Sequence, residues 1–307
     1  MEKIIIDTDI GIDDAFALRY GALTQELIGI TTVSGNVTAD MATRNAKLFC
    51  KHYGLDIPVC KGASRGLTIE PTPPITEVHG SDGMGGCYDN PFDAVTEMNA
   101  VEFLLKTVKE HPREITVVAI GPLTNIALCL NLRPEFAHEV KELVIMGGAF
   151  GTKGHTGNMS NFAEFNIWKD PDAADQVFRS PIRMTVLPLD VTYEVLLTGG
   201  EVASTGDSFL KDISRCYLEF TLKDEGYYGM AVHDALTIEY LLHPECFDVI
   251  EKPVRVSCAG FTYGQTLIPQ SAMPIPDDNF RGLPLRKICV GVDTQRVKEH
   301  LLNTLKL

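Results

Sequence analysis

Short apolar runs alternate along this chain with segments of helical pattern, and this alternation constrains the fold more than any other feature of the sequence. The runs are continuously apolar, as expected of strands that are covered on both faces. A sheet buried between two layers of helices is therefore predicted. The predicted strands are Ile4–Ile6, Leu27–Val33, Ile115–Ile120, Leu143–Met146, Met184–Leu189, Val249–Val256 and Ile288–Val292.

Helical segments lie between many of these runs and begin with capping or first-turn signals such as Thr38, Asn99 and Asp170. The predicted helices are Ala39–Tyr53, Val101–Glu110, Leu123–Asn131 and Pro171–Phe178. Strands that alternate with helices form βαβ units. No linker divides the 307 residues, of which 45% are hydrophobic. We therefore expect one α/β domain over residues 1–307, with an open, mostly parallel β-sheet flanked by helices and a Rossmann-like core.

The turn after the first predicted strand is rich in carboxylates. Asp7, Asp9, Asp13 and Asp14 surround the turn residue Gly11. Ligands of open α/β sheets bind at the carboxyl ends of the strands, where this turn lies. Carboxylates this close repel one another unless a cation lies among them, and Ca²⁺ and Mg²⁺ prefer oxygen ligands. The turn therefore predicts a metal site.

Taken alone, the same turn has a simpler interpretation. Asp13 and Asp14 would complement the dipole of the helix that they begin, and the two earlier acids would be ordinary turn residues. An EF-hand loop is excluded, because Ile12 stands where its turn glycine belongs and Leu18 where its bidentate glutamate belongs. The choice between a metal site and an ordinary turn depends on the rest of the chain.

A second polar segment, GNMSNFAEFNIW at residues 157–168, mixes amides and a carboxylate with aromatic rings. Such a mixture suits a polyhydroxylated ligand, because each hydroxyl needs hydrogen-bond partners and the carbon face of a sugar packs on a ring. A polar surface loop is the alternative. The residues concerned are Asn158, Phe162, Glu164, Phe165, Asn166 and Trp168.

A third segment places His233 beside Asp234 near the start of a helical pattern. A single His-Asp pair is more often structural than functional. Its value here is that it supplies a carboxylate and an imidazole from a distant part of the chain.

Composition excludes several functions. The formal net charge of −14 disfavours nucleic acid and anionic membranes as partners. The eight cysteines form no CxxC pair, so neither a thiolate zinc site nor a disulfide framework is predicted. The first residues lack the apolar region of a signal peptide, and no run approaches membrane-spanning length. We expect a soluble, cytoplasmic protein.

Together these segments resemble the inosine-uridine preferring nucleoside hydrolase family over essentially the whole chain. The resemblance implies the open α/β nucleoside hydrolase fold, a Ca²⁺ ion, hydrolysis of the N-glycosidic bond of ribonucleosides, a role in purine or pyrimidine salvage, and assembly as a homodimer or homotetramer. The matching segments are DTDIGIDD at 7–14, Asn36, HGSDG at 79–83, GPLTN at 121–125, MGG at 146–148, GN and AEFN within 157–166, and HD at 233–234.

The resemblance also implies the metal shell and the general base. Asp9, Asp14, the backbone carbonyl of Thr124 and Asp234 would bind Ca²⁺ together with the ribose 2′- and 3′-hydroxyls and a water molecule. All of these ligands are oxygens, as Ca²⁺ requires. Asp13 would then take a proton from the water that attacks the anomeric carbon.

The remaining implied roles concern the ribose and the base. Asn36, Asn158, Glu164 and Asn166 would hold ribose hydroxyls, and Met146 and Phe165 would line the sugar face. His79 and His233 would lie toward the base, and their ordinary pKa would let them protonate it near neutral pH. His233 is the preferred proton donor because it adjoins Asp234. Tyr217, Tyr227 and Tyr228 are further candidates on the base side, and the base preference stays open.

Cleavage of a glycosidic bond passes through an oxocarbenium-like state, which needs negative charge near the ring, a positioned water and a proton for the leaving group. Two other functions compete. A haloacid-dehalogenase-like phosphatase would also place a DxD at the end of its first strand, with Mg²⁺, but Ile10-Gly11-Ile12 replaces the Gly-Thr that should follow. A non-catalytic nucleoside- or ribose-binding protein would have kept the metal pocket but would not need Asp13.

Overall fold

The computed structural model describes residues 1–70, 73–270 and 279–306. Within them, twelve strands form one eight-stranded sheet and two small two-stranded sheets. The strands are β1 (Lys3–Thr8), β2 (Glu26–Thr32), β3 (Val59–Lys61), β4 (Ile115–Ala119), β5 (Glu142–Met146), β6 (Met184–Leu187), β7 (Leu196–Thr198), β8 (Gly229–Ala231), β9 (Phe247–Lys252), β10 (Arg255–Val256), β11 (Thr266–Leu267) and β12 (Arg286–Val292).

The large sheet has the strand order β3-β2-β1-β4-β5-β6-β12-β9. Every neighbouring pair in it is parallel except β12 and β9. The strand order reverses direction between β1 and β4, where open α/β sheets bind their ligands. The predicted mostly parallel α/β sheet is confirmed.

Helices cover both faces of the sheet. None of the helices among the described residues combines the length and the apolar composition that a membrane crossing needs. The helices are α1 (Ile12–Thr24), α2 (Ala39–Tyr53), α3 (Thr76–His79), α4 (Ala100–Glu110), α5 (Thr124–Leu132), α6 (Phe136–Glu139), α7 (Phe165–Lys169), α8 (Pro171–Arg179), α9 (Leu189–Thr192), α10 (Gly199–Ser204), α11 (Ser208–Asp224), α12 (Ala235–Leu242) and α13 (Thr294–Leu305).

The helix starts follow the predicted caps. The side chains of Thr38, Asn99 and Asp170 each accept a hydrogen bond from a backbone N–H in the first turn of α2, α4 and α8. The bounds of all four predicted helices agree with the structure to within one residue.

Two predicted strands end early because a proline follows. The run Val249–Val256 splits at Pro253 into β9 and β10, which belong to different sheets. Proline has no N–H for the ladder, so it interrupts a strand. The expectation that this run is covered on both faces is also wrong, since β9 is the antiparallel edge strand and Val249 is 38% exposed. Likewise, β6 ends before Pro188 and α9 follows.

Strand β1 shows how the core positions the site. Ile4 and Ile6 pack into the hydrophobic layer on one face of the sheet, and Ile5 packs into the layer on the other face. All three side chains are fully buried. Anchored on both faces, β1 delivers the acidic turn at its carboxyl end to a fixed place.

Candidate active site

A cavity of about 250 Å³ opens beyond the carboxyl ends of β1, β4 and β5. The structure brings most of the predicted site residues together in its wall. The predicted residues that line it are Asp13, Asn36, His79, Met146, Asn158, Glu164, Phe165, Asn166, Tyr217, Tyr227, His233 and Asp234.

Four carboxylates form a cluster that we define as the acidic floor: Asp13 and Asp234, which line the cavity, and the fully buried Asp9 and Asp14 beside them. Carboxylate oxygens of Asp13, Asp14 and Asp234 lie within 4.8 Å of one another. Asp13 and Asp14 are in the first turn of α1, and Asp234 is the residue before α12. Two helix starts that are more than 200 residues apart in sequence therefore meet in one cluster.

Backbone and side-chain donors hold two of these carboxylates. Asp14 accepts hydrogen bonds from the Thr8 hydroxyl at 2.5 Å, from the Gly11 N–H at 2.8 Å and from the Asn36 amide at 3.1 Å. Asp9 accepts one from the Asn36 N–H at 2.6 Å. Asn36 therefore fixes the positions of both acids, whatever contact it makes with a ligand.

Two oxygens of the acidic floor are buried and lack a hydrogen-bond partner among the described residues: Oδ1 of Asp9 and Oδ1 of Asp13. Burial raises the pKa of Asp13 to about 8, and the neighbouring charge of Asp14 adds to the effect. Burial and Asp14 likewise raise the pKa of Asp9 well above its ordinary value. A bound cation would stabilise the charged forms of both groups, so these residues fit a hard divalent metal ion.

Asp7 has a different role from the other acids of its turn. Its Oδ1 accepts hydrogen bonds from the Thr31 hydroxyl at 2.5 Å and from the Asn125 amide at 2.8 Å. The carboxylate thus ties β1 to β2 and to α5 below the cavity. Asp7 does not belong to the cavity wall.

Thr124 lies apart from the cavity. It is the first residue of α5, and its hydroxyl donates to Asp170 at 2.7 Å. The strand-end residue Ile120 lines the cavity instead, and its carbonyl accepts a hydrogen bond from the Asn166 amide at 3.0 Å. A Cβ on the next residue, Gly121, would lie 2.9 Å from the unpartnered Oδ1 of Asp9, so this stretch of backbone adjoins the acidic floor.

The predicted ribose side is a network around Glu164 and Asn166. Glu164 caps α7 by accepting from the backbone N–H groups of Asn166 and Ile167, and it also accepts from Gly148 at 2.9 Å. Asn166 donates to the carbonyls of Ile120 and Met146. Burial raises the pKa of Glu164 to about 7. These contacts position both side chains at the ends of β4 and β5.

Both histidines on the base side are buried and neutral near pH 7. Nδ1 of His79 accepts a hydrogen bond from the Ile12 N–H at 3.1 Å, and burial lowers the pKa of His79 to about 4. Nδ1 of His233 lies 2.7 Å from the Thr192 hydroxyl, and burial lowers the pKa of His233 to about 3. The premise that their ordinary pKa values suit proton donation is therefore wrong.

The base side is completed by an aromatic wall, which we define as Tyr193, Tyr217, Phe220 and Tyr227. Tyr228 is not part of it, because its ring packs on Gly199 and is 45% exposed. Tyr228 therefore lies outside the cavity lining in this structure, and its base-side role stays a prediction.

Sequence reasoning missed Tyr193, whose ring lies edge-on to that of His233 with centroids 4.9 Å apart. The available signal was its place shortly after a predicted strand end, Leu189. It also missed Phe220 and Glu225, which belong to the variable stretch after the middle of α11.

Comparisons with known proteins agree with this geometry. Residues 4–299 match the family model described as inosine-uridine preferring nucleoside hydrolase. A probable uridine nucleosidase 1 of Oryza sativa subsp. japonica is 38% identical over 279 residues, which cover 88% of this chain and 85% of the relative.

Solved structures agree as well. A plant nucleoside hydrolase superposes with a TM-score of 0.94 at 35% identity over 99% of both chains. A purine-preferring ribonucleoside hydrolase from Gardnerella vaginalis superposes with a TM-score of 0.89 at 31% identity over 99% of this chain and 98% of that one. The chain therefore belongs to the inosine-uridine preferring nucleoside hydrolase family and is a nucleoside N-ribohydrolase.

Proposed function

We propose that this enzyme hydrolyses the N-glycosidic bond of ribonucleosides to free base and ribose in a Ca²⁺-dependent reaction. The observation that supports the proposal best is the acidic floor, in which two buried oxygens of Asp9 and Asp13 lack partners directly beside the polar ribose side. The family match leaves the phosphatase hypothesis without support.

We assign Ca²⁺ to Asp9, Asp14 and Asp234, with a backbone carbonyl completing the protein ligands. The carbonyl of Ile120 replaces that of Thr124 in this assignment, because Ile120 lines the cavity next to Asp9 and Thr124 does not. The donor set consists of oxygens only, which suits Ca²⁺. When bound, the ion would polarise a water molecule and hold the ribose diol.

Asp13 is the proposed general base. Its carboxylate lines the cavity and has an unpartnered oxygen, whereas both oxygens of Asp14 are held by donors from the protein. Only Asp13 of this neighbouring pair is therefore free to accept a proton from the water that attacks the anomeric carbon. Its burial places this step away from bulk solvent.

Recognition of the ribose rests on Asn36, Asn158, Glu164 and Asn166, with Met146 and Phe165 on the sugar face. Glu164 and Asn166 are held by strand-end and helix-start backbone groups, so they need little reorganisation to bind hydroxyls. The buried carboxylates nearby also favour the positive charge that develops on the ribose ring in an oxocarbenium-like transition state.

His233 is the proposed proton donor to the leaving base, with His79 as a second base-side contact. His233 is neutral in the free enzyme, so its ring must take up a proton from solvent before it can pass one to the base. Negative charge that develops on the departing base favours this uptake, because it raises the pKa of the ring. Thr192 and Tyr193 position that ring. The alternative is that His233 packs against the sugar and orients Asp234.

The decisive experiment measures release of base and ribose from uridine, cytidine, inosine, guanosine and adenosine, in exhaustively chelated protein and after addition of Ca²⁺. Uridine is the first candidate, because the rice relative is named a uridine nucleosidase. We expect turnover only with Ca²⁺, and much lower kcat/KM for deoxyuridine, which lacks one hydroxyl of the diol. Full activity without metal would contradict the proposal. Binding without turnover would favour a non-catalytic nucleoside-binding protein.

The homodimeric or homotetrameric assembly, the cytoplasmic location and the salvage role stay predictions of the family resemblance.

A further inference from the structure

A second group of metal-ligating side chains lies on the opposite end of the helix that follows Asp234. It consists of Glu239, His243 and His300, and one ligand atom from each lies within 4.8 Å of the other two. Glu239 and His243 are four residues apart at the end of α12, so they lie on one face of that helix. His300 reaches them from α13.

Each ligand has a partner that orients it. Glu239 is 1% exposed, and its Oε2 accepts a hydrogen bond from the Tyr20 hydroxyl at 2.5 Å. This contact leaves Oε1 facing Nδ1 of His300 at 2.7 Å. Nδ1 of His243 lies 3.4 Å from Oε1 of Glu245. Glu245 lies outside the group and contacts one ring nitrogen of His243, which directs the other nitrogen toward a metal, as in many zinc sites.

One side of the group is open to solvent. The side chains of His243 and His300 are 37% and 28% exposed, and their ring centroids are 4.0 Å apart. An ion bound there would have three protein ligands and room for water as a fourth. Two imidazoles and one carboxylate form the ligand set that suits Zn²⁺ and similar transition metals better than Ca²⁺.

We propose that Glu239, His243 and His300 form a second metal site, selective for Zn²⁺-class ions and separate from the acidic floor. The ion takes the place of the hydrogen bond between Oε1 of Glu239 and Nδ1 of His300. Arg296 lies 3.5 Å from Glu245 and pairs with its charge. The negative charge that faces the ion therefore comes from Glu239.

The role of the site follows from the helices that it joins. Tyr20 belongs to α1, which begins with Asp13 and Asp14, and Glu239 belongs to α12, which begins after Asp234. An ion that clamps α12 to α13 therefore stabilises the packing of both helices that supply the acidic floor. Its expected effect is on stability, and it takes no part in the chemistry.

The test is calorimetric titration of Zn²⁺ into the full chain in the presence of excess Ca²⁺. We expect one Zn²⁺ to bind and the Tm to rise. His243→Ala and His300→Ala should each weaken binding at least ~10-fold. His111→Ala is the matched control, because His111 is another exposed histidine beside a glutamate but lies outside the group. The His111→Ala variant should bind Zn²⁺ with the affinity of the wild type.

Two further measurements make the result independent of variant folding and of the proposed catalytic site. X-ray absorption at the zinc edge of the wild-type protein should show two imidazole ligands. Asp14→Ala, which damages the acidic floor, should bind Zn²⁺ normally. Absence of Zn²⁺ binding, a shell with fewer than two imidazoles, equal affinity in all three histidine variants, or loss of Zn²⁺ in Asp14→Ala would each overturn the second site.

Discussion

The acidic floor and the aromatic wall face each other across one cavity but are built in opposite ways. Asp9 and Asp14 of the floor are fully buried and are held by backbone N–H groups. Three of the four rings of the wall come from α11 and the stretch after it, where Tyr227 is half-buried and the neighbouring Tyr228 is exposed. On the proposed function, the chemistry common to all nucleosides belongs to the buried floor, and discrimination between bases belongs to the more exposed wall.

This difference predicts that substitutions on the floor abolish turnover on every substrate, whereas those on the wall change the choice of substrate. The largest effect should come from Asp13→Ala, which removes the proposed general base. We expect kcat to fall by ~10²–10⁴-fold while Ca²⁺ affinity is retained.

Asp14→Ala is the matched control for Asp13→Ala. It removes a carboxylate that is proposed to bind the metal, so Ca²⁺ affinity itself should fall. Calorimetric Ca²⁺ titration of both variants separates the roles. Indistinguishable Ca²⁺ binding in the two variants would contradict the assignment of Asp14 as metal ligand and Asp13 as general base.

The next largest effect should come from His233→Ala at the border between floor and wall. Loss of a proton donor should lower kcat/KM for uridine or inosine by ~10²-fold or more. Hydrolysis of a p-nitrophenyl riboside should be largely spared, because its phenolate leaves without protonation. Equal losses on both substrates would mean that the substitution damages the ribose or metal site.

A third prediction concerns how the stability of the folded protein depends on pH through the acids of the floor. In metal-free protein, burial raises the pKa of Asp13 from 3.8 to about 8, so the folded state keeps a proton that the unfolded chain has lost in this range. Stability therefore falls as pH rises through that interval. His79 and His233 act in the opposite direction, but only below their ordinary pKa of 6.5, because above it they are neutral in both states.

The Tm of chelated protein should consequently fall between about pH 6.5 and 8 and level off above that, and excess Ca²⁺ should remove most of the fall by binding the deprotonated carboxylates. Thermal unfolding with and without chelator measures this difference. In the Asp13→Asn variant, the Tm of metal-free protein should fall less steeply with pH. A chelated profile that is flat or rises over this range would contradict the assignment of the proton to Asp13.

The smallest effects should come from the wall. Tyr227→Ala removes a ring that lines the cavity and should raise KM for the preferred nucleoside by ~3–10-fold, the range expected for loss of one aromatic contact. Tyr228→Ala removes the neighbouring ring that packs on Gly199, and its KM should stay within ~2-fold of the wild type. A larger effect of Tyr228→Ala would mean that the wall rearranges when substrate binds.

The same contrast explains how much could be predicted from the sequence. The floor was predictable because its acids lie within one short turn and one His-Asp pair, both at helix starts that capping chemistry identifies. The sheet was predictable from continuous apolar runs. The choice between Thr124 and Ile120 as the source of a backbone ligand was not predictable, because a main-chain carbonyl leaves no residue-type signal; only the fold shows that Ile120 lines the cavity and Thr124 does not.

The wall and the histidine pKa values were harder for physical reasons. Burial of His79 and His233 depends on residues distant in sequence, which no local pattern reveals. Whether Tyr227 or Tyr228 faces the cavity depends on the register of β8, whose Gly229 pairs with Thr198 on β7. Both tyrosines lie in the bend before β8 and not in the strand itself, so no alternating pattern in the sequence shows which ring faces the cavity.

The contacts of Asp7 give a criterion for classifying related chains. It stands inside the most acidic turn of the molecule, yet its hydrogen bonds to Thr31 and Asn125 serve the joint between strands and helix. A descendant that lost hydrolysis but kept the scaffold would still need Asp7 and could discard Asp13. On the proposed roles, the first aspartate of the turn therefore reports on architecture and the third reports on turnover, and a chain that keeps the other three but lacks the third is a candidate nucleoside receptor.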